Sequence, residues 1–305
     1  MNGHATFRWI HLILPCLLVA SCGGNRQEER GASPSAPAGS PERIAVVDSL
    51  AGPESVRYDP EFDVYFVSNF NGEPAGDANG FISKVGPDGA IVTRAFMTGT
   101  HRAPLHGPRG MFLTGDTLWA VDADGVHAFD RRSGAQIGFV DFTPFDPGFL
   151  NDITRGPDGA LYVTDTDHPR IFRLAGGIVT IALEDTALCG PNGIMWDAMS
   201  GRFMLASWNH GASVHAWQPG TQVVESIGAP GTGGFDGIER ARDRILVASQ
   251  TDSSLHELAG TGESVFLRLP GAPADIGVDT RRVRVAVPMV DRNQVEIWQL
   301  PAAAN

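Results

Sequence analysis

Through most of the chain, apolar and polar residues alternate in short runs punctuated by Gly, Pro, Asn and Asp. Alternation with a period of two predicts strands that turn one face to a core, and the punctuation predicts tight turns. The stretch "NGIMWDAMSGRFMLAS", from Asn192, shows the unit. Ile194 and Trp196 alternate on a first strand, residues 197–201 turn the chain, and residues 203–206 return as a second. Third and fourth strands follow, as in "FISKV" and "IVTRAF", which Gly86, Pro87, Asp88 and Gly89 join. No segment carries a sustained helical period.

Six units open alike, at Glu54, Arg109, Asn151, Asn192, Asp236 and Ala274, with a period of about 40 residues. The first step is longer because the polar, Gly-rich "NFNGEPAGDANG" follows a second strand. A repeat of this length built from short strands predicts an all-β chain, a six-bladed β-propeller over residues 42–301. The last unit ends at "VEIWQL" without a fourth strand. The stretch "RIAVVDSL", residues 43–50, can supply it. The ring is then closed by an N-terminal strand and keeps no free sheet edge.

The first strand of each propeller blade lines the central channel, so the six opening residues are expected in a ring at one mouth. The second-strand ends, including Asn69, Asp122, Asp165 and Ser207, are expected in a wider ring around it. Gly193 and Gly237 follow ring residues at points where backbones should crowd. Two carboxylates and two amides converging there would repel or lie unsatisfied without a cation among them. Their oxygens are hard ligands, suited to calcium, magnesium or manganese. His101, His106, His168 and His210 lie in loops able to reach the mouth and offer a rival base. No "GxSxG" elbow occurs. Asp122 and Asp124 in "VDADGV" lack the spacing and terminal Glu of an EF-hand loop. Cys189 reads as a buried structural thiol.

The segments "PESVRYDPEFDVYFVSN", "LNDITRGPDGALYVTDT", "GPNGIMWD" and "FDGIE" resemble the six-bladed propeller family of gluconolactonase and senescence marker protein (regucalcin). The resemblance covers residues 43–300. It implies one divalent cation at the mouth, calcium first, with magnesium, manganese or zinc as alternatives. It also implies hydrolysis of a small-molecule lactone or similar ester. By motif, Glu54, Asn192 and Asp236 match the family's metal ligands, Asp236 is also its general base, and Asn151 falls on the substrate side. Where the family often has Arg two residues before that Asn, this chain has Phe149, and Arg109 is the expected substitute for contacting substrate. The same architecture also suits a non-enzymatic NHL-type propeller that binds a small molecule or peptide at the channel mouth. The ring distinguishes the two readings, since a scaffold tolerates any residues there.

Charge and the N-terminal segment narrow the setting. A net charge of −12 with no basic stripe argues against nucleic acid. Arg8 precedes an apolar run, residues 10–20, too short to span a membrane as a mature helix. That start reads as a secretory signal over residues 1–21, and Val19-Ala20-Ser21-Cys22 resembles the bacterial lipobox. An ordinary signal peptide is the alternative. Residues 23–41 contain no large apolar side chain, which predicts that 22–41 form a flexible tether. Cys22 is then the expected lipidation site, placing the chain on the exported side of a bacterial cell envelope. Membrane fractionation should find the wild type with the membranes and Cys22→Ser in the soluble fraction. Identical partitioning of the two would overturn the lipobox reading.

Overall fold

The second strand of each blade is buried on both faces, and this decides how the blades stack. Every residue of the strand Val64–Asn69 is buried. Val64 and Phe66 pack with Met97, Leu105, Leu118 and Phe129, whereas Tyr65 and Val67 face the other way, onto Val56, Val85 and Ile297. The strand Arg202–Ser207 repeats the division. Phe203 and Leu205 join Tyr162 and Trp217, while Met204 and Ala206 join Phe235 and Val247. Each apolar cluster is therefore an interface between consecutive blades, because the strand period of two sends alternate side chains to two different neighbours.

A computed structural model describes residues 39–73, 77–209, 213–231, 233–259 and 262–301. Among them, 24 strands form six four-stranded antiparallel sheets, with no α-helix. The innermost strands are Pro53–Asp59, Met111–Thr114, Leu150–Arg155, Pro191–Asp197, Phe235–Ala241 and Gly277–Asp279. They neighbour one another in a closed ring, the arrangement of a six-bladed propeller. Residues 1–38, with the expected signal segment and Cys22, lie outside the described residues, as does His210.

Five sheets are made of consecutive strands. In the sixth, Gly277–Asp279, Arg284–Met289 and Gln294–Gln299 are completed on the outside by Glu42–Val47. This closing strand pairs antiparallel with the last, from Glu42 opposite Gln299 to Val47 opposite Val295. Val47 and Leu50 are buried in the cluster between the last and first blades. Arg43 Nη1 reaches Glu296 Oε1 at 2.7 Å, but with half the Arg43 side chain exposed the pair contributes little. The buried side chains matter more, truncation of a core Leu costing about 2–5 kcal/mol.

A polar clasp fixes the connectors that carry the mouth. At the end of a second strand, one side chain bonds the loop entering the same blade. Asn69 Oδ1 accepts from Ala51 N at 3.0 Å, and Asp122 accepts from His106 N and Gly107 N at 2.6 and 2.7 Å. Asp165 accepts from Phe149 N at 2.8 Å. Ser207 and Ser249 instead donate, to Leu188 O at 2.7 Å and Gly233 O at 3.1 Å.

The closing strand sets a stability prediction. Removing residues 1–38 should leave the melting temperature unchanged, whereas removing 1–50 should lower it by about 10 °C or more. Scanning calorimetry of the two truncations checks this, and equal melting temperatures would refute it.

Candidate functional site

Four of the six innermost strands are irregular at their opening. Pairing shifts register between Pro53 and Val56, Leu150 and Ile153, Pro191 and Ile194, and Phe235 and Ile238. The shifted intervals hold Glu54, Asn151, Asn192 and Asp236. A bulge bends the strand and re-aims a side chain, here at the mouth of the channel. The backbones crowd as expected. A Cβ on Gly193 would lie 2.2 Å from the Asp236 carbonyl oxygen, and one on Gly237 would lie 2.5 Å from Ile276 N.

These four side chains line a single cavity of about 320 Å³ at the mouth. Each is at most 4% exposed. Glu54 Oε2, Asn151 Oδ1, Asn192 Oδ1 and Asp236 Oδ1 are buried and accept no hydrogen bond. Gln250 Nε2 donates to the other Asp236 oxygen at 2.8 Å. Four oxygen acceptors without a protein partner, on four blades, converge on one cavity, and their chemistry fits a hard divalent cation. The other two ring positions differ. Ala274 also lines the cavity but brings only a methyl group. Arg109 is 1% exposed and does not line it. Its guanidinium carbon lies 3.8 Å from the Phe149 ring centre, and Nη1 donates to Leu150 O at 3.0 Å.

The wider ring is shifted by one residue from the expectation. Asn69, Asp122, Asp165 and Ser207 are fully buried in the clasps rather than facing the mouth. The cavity is lined instead by the residue after the second strand: Phe70, Thr166, Trp208, Gln250 and Val290. Their backbones explain the phase. Phe70, Thr166, Trp208 and Gln250 donate to Gly52, Phe149, Gly190 and Gly234 carbonyls at 2.8–3.0 Å, which adds one more rung beside each opening residue. Among the described residues no histidine lines the cavity. Cys189, expected buried, is only partly so, in a left-handed conformation that ends a 3-10 turn.

A charged layer inside the channel was not anticipated. Ser55 Oγ donates to Asp275 Oδ2 at 2.5 Å, and Arg57 Nη2 reaches Asp275 at 3.2 Å and Asp152 at 3.5 Å. Arg57 Nη1 also pairs with Glu239. Asp152 accepts from Ile153 N and Ile194 N at 2.7 and 2.8 Å. The signal for part of this layer is the repeat itself: Arg57, Phe112, Thr154, Met195 and Glu239 each stand three residues after an opening residue. All five line a second cavity, of about 480 Å³.

Carboxylates outnumber guanidiniums here. Burial, and then Asp236 and Asp275, pushes the Glu54 carboxyl well above its ordinary range. Burial, and then Asp275, pushes Asp236 up to about 8. Burial likewise raises Asp152, Asp275 and Glu239, although Arg57 opposes the shift in all three.

A different cluster, Asp122, Asp124 and His127, brings three ligand-type atoms within 4.8 Å of one another and is compatible with a divalent metal. His127 Nε2 lies 3.4 Å from Asp122 and 3.5 Å from Asp124. Gln136 argues for a proton there instead. Its Oε1 accepts from Thr100 N at 2.9 Å and its Nε2 donates to Ala103 O at 3.1 Å, so the same amide nitrogen meets His127 Nδ1 at 2.6 Å as a donor. The ring proton then belongs on Nε2, where a metal would need it removed. The mouth is the better candidate.

No family model and no curated protein sequence matches the chain. Its fold is similar to several solved structures. A candidate gluconolactonase superposes with a TM-score of 0.65 at 18% identity, covering 87% of this chain and 93% of that one. A gluconolactonase from Xanthomonas campestris gives 0.63 at 14% identity, covering 85% and 91%. Virginiamycin B lyase from Staphylococcus aureus, in a catalytically inactive form, gives 0.58 at 14% identity, covering 84% and 99%. At such identities the likeness is one of fold, and the chain has the six-bladed propeller fold of the gluconolactonase-like proteins.

Proposed function

We propose that the chain is a divalent-cation-dependent hydrolase of a lactone or similar ester, working at the mouth cavity. The observation that carries this reading is the set of four orphaned oxygens on four blades, far apart in sequence. Glu54, Asn192 and Asp236 would hold the ion, calcium being the best match to hard oxygen ligands of this kind. A bound divalent ion supplies Lewis acidity toward a carbonyl oxygen. The Gln250 amide holds Asp236 Oδ2 and leaves Oδ1 without a protein partner, as the atom that would meet the ion, while the Oδ2 side of the same carboxylate would take the proton from water. Asn151 presents its amide to the substrate and orients it. Four unsatisfied acceptors in one cavity favour a site that takes up an ion or ligand over an inert scaffold, and the likeness to the gluconolactonase fold favours hydrolysis there over binding alone. The lipobox-like start extends the proposal to a domain anchored through Cys22 on the exported side of the envelope.

Protons and the ion compete for the same oxygens. Asp236 keeps its proton in the folded, ion-free chain up to about pH 8 but loses it near the ordinary carboxylate value of 3.8 when unfolded. Its folded value is raised, so its contribution is fully present below pH 3.8 and is lost as the pH rises toward about 8. The chelator-treated protein should therefore melt at a lower temperature at pH 8 than at pH 5. Saturating calcium at pH 8 should raise that temperature by about 5–10 °C. Calorimetric titration that finds no divalent-ion uptake would overturn the proposal.

Single substitutions separate the roles. Asp236→Asn removes a buried charge, so the ion-free variant should melt higher than wild type at pH 8 while losing both the calcium response and hydrolysis. Asn151→Ala should keep most of the calcium shift and lower turnover by about 10–100-fold. Calcium titrations followed by melting and by lactone hydrolysis check both variants.

A further inference from the structure

The mouth cavity divides sharply into a polar floor and an apolar wall. Its floor is Glu54, Asn151, Asn192 and Asp236, and its wall includes Phe70, Phe149, Trp208, Val290 and Ala274. Among the described residues no cationic side chain lines it, whereas Asp167 places a third carboxylate on its wall. Arg109, the nearest arginine along the ring, is buried with Phe149 over its guanidinium at 3.8 Å and Phe70 at 5.9 Å. Two further polar side chains on the wall are already engaged: Thr166 Oγ1 donates to Pro191 O at 2.9 Å and Gln250 Nε2 to Asp236.

Phe149 is singular within the repeat. Two residues before the other opening residues stand Gly52, Gly107, Gly190, Gly234 and Ala272. Only this blade places a large side chain at that point, and Asp165 fixes it by accepting from its backbone N–H at 2.8 Å.

We infer that the cavity takes an uncharged lactone or ester bearing an aromatic or aliphatic group beside the carbonyl, and discriminates against polyhydroxylated sugar lactones. Hydroxyls placed against Phe70, Phe149 and Val290 would lose water without gaining partners, while a ring or short alkyl chain buries apolar area there. A substrate carrying its own carboxylate on that apolar group would meet Asp167 on the wall with no cationic side chain beside it. The turnover part of this inference rests on the hydrolase reading; the binding part does not.

The test uses five probes: γ-phenyl-γ-butyrolactone, unsubstituted γ-butyrolactone, gluconolactone, and the lactams of the phenyl lactone and of gluconolactone, which bind without being cleaved. With calcium present, the phenyl lactam should bind at least about tenfold more tightly than gluconolactam, and kcat/KM should favour the phenyl lactone by a similar factor or more. In Phe149→Ala, the ratio of kcat/KM for the phenyl lactone to that for unsubstituted γ-butyrolactone should fall about tenfold, with the calcium affinity unchanged. Equal or tighter binding of gluconolactam, or faster cleavage of gluconolactone, would overturn the inference while leaving a hydrolase. Preferential binding of the phenyl lactam with no cleavage of either lactone would support the inference and sink the hydrolase reading instead.

Discussion

A carboxylate taken out of water must be repaid by a proton, a guanidinium or a metal ion, and the channel of this propeller is arranged around that demand. Glu54 and Asp236 lie at the mouth, Asp152 and Asp275 are buried close by, and Glu239 lines the second cavity. Arg57 answers three of them at once, through Asp152, Asp275 and Glu239. At the mouth, Arg109 lowers the Glu54 carboxyl, yet burial and neighbouring acids outweigh it. Arg57 therefore offsets the deep layer only in part, since burial still raises its three carboxyls, and the two at the mouth are raised as well.

How much of this could be read from the sequence depended on periodicity. The opening residues recur at one phase of a repeat, so their convergence follows once the repeat is recognised. The closing strand followed from counting strands in the last unit. What could not be read was the depth of burial. Asn69 and Phe70 are adjacent, and alternation alone does not say which of them faces the mouth; hydrogen bonds to the connector, such as Asn69 to Ala51 N, decide it. Asp152 and Asp275 were missed for another reason. They occupy the position after the opening residue, where Gly110, Gly193 and Gly237 also stand, and a position that tolerates Gly in three blades gives no hint of a buried acid in two others. Arg109 shows the same limit, since its place in the ring was legible and its stacking under Phe149 was not.

The architecture also separates rigidity from recognition. Floor residues sit on bulged strands that are packed against neighbouring blades on both sides, which leaves them little freedom to relax. The wall comes from connectors and strand ends, held on four blades by one clasp and one extra backbone rung. Such segments tolerate substitution far better than strand interiors do. A fold of this kind can keep one polar floor while the connectors that make its wall are exchanged.

The pairing of Glu42–Val47 with Gln294–Gln299 has a kinetic side. These strands are the first and last of the propeller in the order of synthesis, so the contact order of the closing sheet is nearly the greatest the domain allows. Until the final strand exists, the first is an unpaired β-edge with nothing to bind in its own chain. Other chains can offer it a partner sooner. Ring closure thus gives this strand its partner in the finished molecule while concentrating the hazard of misassembly into the interval before the last strand is made.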